Sequence, residues 1–350
     1  MGISKRTRGL IWLAVLCVVM AVVSGCGSSS SSSSTSTHAA GTASNAASMS
    51  KPIRIAFLPQ GITSYTTAMV KGINSVATPA GGTVKMLSPN DDPATQLSQC
   101  ETAISEGYDI ILIQAVNHAA AIPCVEQAVA KGVVVIPTDQ PIGSNPVSSA
   151  IQVPGVKAQV LGSALGVDAN LTIQAVKMAC SHFPPPCTIV QTESIPALFY
   201  SSFKVSDEQP RFKALGYKVI ATPVIGNFDD AAGMKSAIQT ILVKTPNIDV
   251  IVSDDDSSLQ GAVQLKEQGK LPHTLIVGDG GSGPALAAIK AGDEFATTLS
   301  VPESTAAAAT TKAIEILRGQ PFGKPAETQL DLTKYPIVTK ANVADVTAQW

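Results

Sequence analysis

Residues 106–114, EGYDIILIQ, place an aspartate directly before a short run of large apolar side chains. Residues 245–253, TPNIDVIVS, repeat this arrangement about 140 positions later. In both places a helical pattern precedes the apolar run and another follows it, which is the order of a parallel α/β unit. The repetition predicts two related lobes rather than one large sheet.

The same alternation extends over most of the chain. Short apolar runs rich in β-branched residues predict strands at 53–58, 83–87, 110–114, 133–137, 187–191, 218–224, 250–253, 274–278 and 295–300. Between them, apolar residues at three-to-four spacing predict helices at 65–77, 94–105, 120–132, 231–244 and 305–319. Strands that are apolar throughout indicate a sheet covered by helices on both faces. The sequence therefore predicts an α/β fold with parallel sheets.

The N-terminal segment has the features of a signal peptide and an anchor. Residues 10–23 are an apolar run of 14 residues behind three basic residues, too short to span a bilayer, which needs about 20. The run ends in Val23-Ser24-Gly25-Cys26, which resembles a bacterial lipobox; an ordinary cleavage site with a chance cysteine is the alternative. We expect residues 1–25 to be the signal peptide and Cys26 to carry the lipid. Residues 26–51, which include seven consecutive serines, are expected to form the anchor and a flexible tether.

The charge and the length of the chain limit the partners and the number of lobes that can be expected. Of the 24 Lys and Arg residues, three lie in residues 1–25, so the rest of the chain carries 21 of them against 26 Asp and Glu. No basic patch stands out, and nucleic acid is therefore an unexpected partner. The remaining body of about 300 residues is near the size at which one core divides into two. We expect a monomer.

Four cysteines remain after Cys17 and Cys26 are set aside. An even number fits disulfides in an oxidising compartment, with four free thiols as the alternative. Cys180 and Cys187 enclose a proline-rich loop and are expected to pair. Cys100 and Cys124 lie on consecutive predicted helices and are expected to join them.

Polar side chains follow the carboxyl ends of the predicted strands, where open parallel sheets bind ligands. They are amides, carboxylates and hydroxyls, together with two aromatic residues. Such groups bond to hydroxyls, while aromatic faces cover the apolar faces of a sugar ring. The pattern indicates a polyhydroxylated ligand.

Together, these features resemble those of type I periplasmic solute-binding proteins of the ribose-binding type, which serve sugar ABC transporters. The resemblance spans about residues 51–335 and rests on the order and spacing of several segments. They are IRIAFLPQGITSYTTAMVKGI (53–73), IILIQAVN (110–117), VVVIPTDQP (133–141), GNFDDAAG (226–233), VIVSDDDSSLQGAV (250–263), LIVGDGG (275–281) and ATTLSVPE (296–303).

The resemblance implies two Rossmann-like lobes joined by a three-segment hinge, which close over a ligand and dock on a membrane permease. We expect the N-terminal lobe to comprise residues 52–154 and 301–330. The C-terminal lobe is expected to comprise residues 155–300 and 331–350. The implied location is outside the cytoplasm, at the bacterial cell membrane.

The resemblance also assigns ligand-binding residues by position. They include the aromatic of the first helix, the amide after the third strand, the carboxylate after the fourth and a second-lobe aromatic. The predicted ligand-binding residues are Gln60, Thr63, Tyr65, Gln114, Asp139, Gln140, Phe228, Asp255, Asp279 and Ser300. Replacement of either Asp139 or Asp255 by alanine is expected to abolish binding and leave the fold intact.

Several positions depart from the ribose-binding pattern. Gln140 stands where those proteins have an arginine, and a second ligand arginine falls near Ser206, two residues from Lys204. Thr66 replaces a stacking aromatic, and Asp255 replaces an asparagine. The site has lost positive charge and gained a carboxylate, so ribose is not the expected ligand. Another sugar or polyol is expected, with an amine-bearing or cationic molecule as the alternative.

The acidic run Asp254-Asp255-Asp256 admits several interpretations. Asp256 is predicted to serve the N-terminus of the next helix and Asp255 to face the ligand, while Asp254 has no assigned role. The run begins like a calcium loop, but Leu259 and Leu265 stand where that loop needs a glycine and an acid. We therefore predict no metal site.

Dinucleotide-binding and hydrolase motifs would indicate other activities. Residues 278–289, GDGGSGPALAAI, match the G-x-G-x-x-G dinucleotide pattern, but a strand-to-helix turn that needs positive φ explains the glycines equally. We expect no cofactor. No G-x-S-x-G elbow is present, and an extracytoplasmic enzyme is the remote alternative. Another alternative is a protein of the same fold that senses a ligand and passes this signal to a membrane receptor.

Overall fold

All nine predicted strands form in the computed structural model, which describes residues 51–162 and 165–350. The predicted signal peptide, the lipidation site Cys26 and the tether lie outside the described residues. Among the described ranges, no helix has both the length and the apolarity needed to cross a bilayer.

The described residues form twelve strands and ten α-helices. The strands are β1 (Ile53–Leu58), β2 (Gly82–Met86), β3 (Ile110–Ile113), β4 (Val134–Pro137), β5 (Gln159–Leu161), β6 (Thr188–Gln191), β7 (Lys218–Ala221), β8 (Val250–Val252), β9 (Leu275–Gly280), β10 (Ala296–Leu299), β11 (Ala326–Thr328) and β12 (Ile337–Thr339). The helices are α1 (Ser64–Ala77), α2 (Pro93–Ser105), α3 (Ile122–Ala130), α4 (Leu165–Cys180), α5 (Phe199–Ala214), α6 (Ala231–Lys244), α7 (Asp256–Glu267), α8 (Gly283–Ala291), α9 (Pro302–Leu317) and α10 (Gln329–Leu332).

Two parallel sheets carry the fold. The first has the order β2-β1-β3-β4, and the second has the order β12-β10-β9-β8-β6-β7, in which only β12 runs antiparallel, against β10. We call the first sheet with α1, α2, α3 and α9 the first lobe, and the second sheet with α4 to α8 the second lobe. Strand β5 pairs with β11 and is bridged to Thr138 directly after β4.

Alternation along the strands places a hydrophobic layer on each face of both sheets. In β1, Ile55 and Phe57 pack toward α1 and α9, whereas Ala56 and Leu58 pack toward α2 and α3. In the second lobe, Val190 of β6 and Ile251 of β8 pack toward α6 and α7, and their strand neighbours pack toward α4 and α5. Each fully buried large apolar side chain contributes about 1.5–3 kcal/mol relative to exposure.

The aspartate before each repeated apolar run has the same role in both lobes. The Oδ2 atom of Asp109 accepts a hydrogen bond from the Arg54 backbone at 2.8 Å, and that of Asp249 accepts one from the Thr188 backbone at 2.8 Å. Each aspartate thus fixes the start of the neighbouring strand. The shared contact supports the structural repeat that the sequence indicated.

Both predicted disulfides are present. Cys100 of α2 is bonded to Cys124 of α3, and Cys180 at the end of α4 is bonded to Cys187 before β6. Each bond lies within one lobe.

The division into lobes stays a prediction at its boundaries. Strand pairing places residues 159–161 beside the first sheet. This pairing favours a chain that passes from the first lobe to the second after Leu161 rather than between residues 154 and 155.

Candidate ligand-binding site

A cavity lies at the carboxyl ends of the strands, and residues from both lobes line it. It contains about 700 Å³ of empty space, part of it open to solvent. All ten predicted ligand-binding residues line this cavity, which brings together strand ends far apart in the sequence. That they bind a ligand stays a prediction. The lining residues outside the predicted set are Gly61, Thr66, Asp91, Tyr200, Asp229, Asp254, Gly280 and Trp350.

The first-lobe wall is organised around Asp139, which follows β4. Its Oδ1 atom accepts a hydrogen bond from the Tyr65 hydroxyl at 2.7 Å, and its Oδ2 atom accepts one from Gln114 Nε2 at 2.6 Å. Gln114 in turn accepts a hydrogen bond from the Gln60 backbone at 3.1 Å. Burial raises the pKa of Asp139, and its hydrogen bonds oppose that rise. These hydrogen bonds fix the positions of the three side chains relative to one another.

The backbone at Asp139 has a φ of 67°, which aspartate tolerates better than most side chains do. A Cβ atom at Gly162, which lies opposite, would collide with Asp139 Oδ1. Glycine at position 162 therefore leaves the space that this carboxylate occupies.

The acidic run separates into three different roles. Asp255 is the N-cap of α7, where its side chain accepts hydrogen bonds from the Ser257 and Ser258 backbones, and Asp256 is an acid of the first turn, in keeping with its predicted place at the start of this helix. The reason is backbone geometry: Asp255 is extended, with φ −151° and ψ 115°, while Asp256 is already helical. Asp255 also lines the cavity, so capping and facing the ligand space fall to the same residue.

Asp256 is fully buried in the first turn of α7 and faces the next helix. Its Oδ2 atom accepts hydrogen bonds from the Gly281 and Ser282 backbones and from the Thr297 hydroxyl. A carboxylate of the protein thus occupies the backbone amides directly before α8, and the Ser282 side chain caps the first turn, so both groups lie where a dinucleotide phosphate would bind. Gly280 and Gly281 have φ values of 133° and 69°, so the glycines of this turn serve its conformation.

Asp254 belongs to the cavity wall as well. Its Oδ1 atom accepts hydrogen bonds from the Ser194 hydroxyl at 2.8 Å and from the Ser194 backbone at 3.2 Å. Burial raises the pKa of Asp254. The sequence offered no signal for this contact, because Ser194 lies in a loop of another segment.

A buried lysine supplies positive charge behind the second-lobe wall. Lys204 Nζ forms ion pairs with Asp279, with Asp168 at 3.0 Å and with Glu208 at 3.6 Å. Although burial opposes ionisation, Lys204 holds the pKa of Asp279 below its ordinary value. Ser206, where the resemblance placed a ligand arginine, is exposed instead.

Aromatic side chains reach the cavity from four segments. Trp350 packs edge-on against Tyr65 with ring centroids 5.3 Å apart, and its Nε1 atom donates to the Gly280 carbonyl at 3.1 Å. Phe228 and Tyr200 also line the cavity. Trp350 thus supplies an aromatic surface near α1, where Thr66 instead forms a capping box with Thr63.

Comparison with known proteins agrees with this architecture. The family described as "Periplasmic binding protein domain" matches residues 55–321. The chain belongs to this family.

The individual relatives share about a quarter or less of their residues with this chain. The chain is 25% identical over 270 residues to the ribose import binding protein RbsB of Bacillus subtilis, covering 77% of this chain and 82% of the relative. It is 26% identical over 265 residues to the xylitol-binding protein of Mycolicibacterium smegmatis, covering 73% and 70%. An ABC transporter solute binding protein of Bacillus halodurans, solved with bound myo-inositol, aligns with a TM-score of 0.70 at 18% identity, over 85% of this chain and 98% of that chain. The structural likeness confirms the type I periplasmic binding protein fold.

In this periplasmic binding protein, a polar contact joins the lobes at the edge of the cavity. Asp229, in the loop before α6, accepts hydrogen bonds from the Ser64 backbone and hydroxyl at the start of α1, both at 2.9 Å. The Asp229 backbone N–H donates to Asp255 Oδ2 at 2.9 Å. The interlobe contact is therefore connected to a residue that lines the cavity.

Replacing Asp229 with glycine should weaken ligand binding about fivefold. The substitution removes both interlobe hydrogen bonds, which at an exposed site contribute about 1 kcal/mol, while glycine accepts the φ of 58° at this position without strain. Titration calorimetry measures the loss, and Asp229→Asn, which keeps an acceptor, should lose less. Wild-type affinity in the glycine variant would show that the contact contributes nothing to closure.

Several buried carboxyl groups predict a stability that falls as pH rises. Burial raises the pKa of Asp255 to about 6, of Asp256 and Asp168 to about 7, and of Glu208 to about 8, against ordinary values of 3.8 for Asp and 4.5 for Glu. When the pKa of a carboxyl group is raised in the folded state, the folded state binds more protons than the unfolded state at every pH between the ordinary pKa and the raised pKa. The stabilisation is complete below pH 4 and is lost as pH rises toward 8.

The free energy of unfolding should therefore decrease by at least about 2 kcal/mol between pH 5 and pH 8, because a single carboxyl group with a pKa of about 7 already contributes about that much. Urea denaturation at both pH values measures it. Glu208→Gln, which removes one of the titrating groups, should reduce the difference, and the exposed Glu267→Gln controls for the substitution as such. A protein more stable at pH 8 than at pH 5 would contradict this expectation.

Proposed function

We propose that this protein is an extracytoplasmic solute-binding protein that captures a sugar-like molecule between its lobes and delivers it to an ABC import permease. It binds and releases that molecule unchanged. The support comes from the cavity, in which amides, carboxylates and hydroxyls from both lobes stand beside aromatic rings. Relatives named for ribose and xylitol, and a structural neighbour with myo-inositol, point to the same ligand class.

The arrangement that carries the proposal is the network around Asp139. A buried carboxylate held by Tyr65 and Gln114 presents a fixed acceptor beside two aromatic rings. Hydroxyl groups of a polyol donate to such an acceptor, and the apolar face of a ring or chain covers an aromatic surface.

Trp350 offers a direct test. The sequence contains two tryptophans, Trp12 and Trp350, so a protein that begins at Lys51 has Trp350 as its sole tryptophan. Ribose, xylitol, myo-inositol and a wider set of sugars and polyols are titrated while tryptophan emission is recorded. The proposal is supported if at least one compound changes the tryptophan emission in a saturable manner. The same compound should be recovered chemically unchanged after it is released from the protein. No change in emission or melting temperature with any of them would refute the proposal.

We also propose that Cys26 is lipidated and anchors the protein to the cell membrane. The support is the apolar run followed by small residues and a cysteine, with a serine-rich tether behind it. In cells that express the full chain, Cys26→Ser should move the protein from the membrane fraction to the soluble fraction. Equal membrane retention of both forms would refute the anchor.

A further inference from the structure

Negative charge dominates the side chains that line the cavity. Six aspartates line it, and no lysine, arginine or histidine is among the lining residues of the described ranges. The six are Asp91, Asp139, Asp229, Asp254, Asp255 and Asp279. An ionised carboxylate removed from water needs a counter-charge or several hydrogen bonds. The question is which of the six receive one from the protein.

Three of these carboxylates are compensated by the protein. Asp279 is paired with the buried Lys204. Asp255 accepts hydrogen bonds at the N-terminus of α7, and Asp229 accepts them at the N-terminus of α1, where the partial positive charge of a helix stabilises an anion. Asp91 is only partly buried, so water solvates it.

Asp139 and Asp254 form no ion pair within the described ranges; Lys204 acts on Asp254 only at longer range, since its ion pairs are with Asp168, Glu208 and Asp279. Asp139 is 5% exposed and receives hydrogen bonds from a phenol and an amide, while Asp254 is 6% exposed and receives them from the Ser194 hydroxyl and backbone. All of these donors are neutral. The two carboxylates come from opposite lobes, so closure encloses both in the same cavity.

A second observation points to a missing donor. Gln140 follows Asp139, lines the cavity and is 4% exposed, yet its Oε1 atom has no hydrogen-bond partner among the described residues. A buried acceptor left unpaired is unfavourable. The first-lobe wall thus presents a surplus of acceptors beside an uncompensated charge.

We propose that the ligand is a sugar or polyol that carries a protonated amine, and that Asp139 and Asp254 are the carboxylates that compensate it. The inference rests on the proposed function and narrows its ligand class. Hydroxyl groups alone satisfy the acceptors but leave both charges uncompensated. An ammonium group supplies three donors and the counter-charge, and its hydrogen bonds to carboxylates are about twice as strong as neutral ones.

The test uses matched pairs that differ by one amine: glucitol and 1-amino-1-deoxyglucitol, glucose and glucosamine, and myo-inositol and an inosamine. Titration calorimetry of the mature protein at pH 7 should show the amine of at least one pair binding about tenfold or more tightly than its hydroxyl partner. Asp139→Asn and Asp254→Asn should each reduce that preference. Asp207→Asn, which removes the same charge outside the cavity, should keep it.

The outcomes separate the inference from the function on which it rests. If neutral members bind equally well or more tightly, the amine is refuted and the solute-binding function stands. If no member of any pair binds while ribose, xylitol or another neutral sugar does, the amine is likewise refuted and the solute-binding function stands. Because the comparison of ligands uses the unaltered protein, a variant that does not fold leaves the test decisive.

Discussion

Replacing Asp139 with alanine is expected to weaken ligand binding at least about 100-fold. The substitution removes the buried acceptor at the centre of the first-lobe wall and leaves the Tyr65 hydroxyl and the Gln114 amide without a partner. Hydrogen bonds to a charged group are each worth about 1.5–3 kcal/mol, so the loss of two or more accounts for this factor. Titration calorimetry with the ligand identified by Trp350 emission measures it.

Two further variants distinguish loss of the carboxylate from general damage. Gly162→Ala places a methyl group where Asp139 Oδ1 lies and should weaken binding although every ligand-facing side chain is retained. Gly166→Ala is its matched control, because the added methyl group meets no atom within 4 Å and the position is helical. Binding by Asp139→Ala within about threefold of wild type, in protein with a native circular dichroism spectrum, would remove Asp139 from the site.

Replacing Lys204 with methionine should destabilise the protein by about 3–5 kcal/mol, the typical cost of removing one partner from a buried ion pair. The Lys204 ammonium is surrounded by Asp168, Glu208 and Asp279, and these carboxylates raise its pKa above the ordinary value although burial alone would lower it. Methionine keeps the length and packing of the side chain but leaves the carboxylates without their cation.

Urea denaturation measures the change in the free energy of unfolding. Lys213→Met, on the same helix but exposed to solvent, should change it by less than about 0.5 kcal/mol. The effect of Lys204→Met should shrink at pH 5, because protonated carboxyl groups no longer need a counter-charge. A loss below about 1 kcal/mol at pH 8 would show that the cluster is not maintained by this lysine.

The sequence predicts the fold well because parallel strands are apolar along their whole length. It does not predict β5, β11 and β12, which are three residues each and lack such a run. Helices α4 and α5 are also missed. Helix α5 is polar on average and contains Pro210, a residue that normally ends a helix.

The predicted site residues share a single signal, their position near a strand end. Trp350 and Tyr200 carry no such signal, because the C-terminal segment and the start of α5 reach the cavity only through tertiary packing. Because Asp255 caps α7, its replacement by alanine should also cost about 1 kcal/mol of stability, in addition to its expected effect on binding.

The two disulfides have a consequence for motion. Cys100–Cys124 joins helices of the first lobe, and Cys180–Cys187 closes a loop of the second, so neither bond connects one lobe to the other. Oxidation therefore limits the unfolding of each lobe separately and places no covalent restraint on the hinge. The two lobes can therefore move relative to one another while both disulfides stay intact.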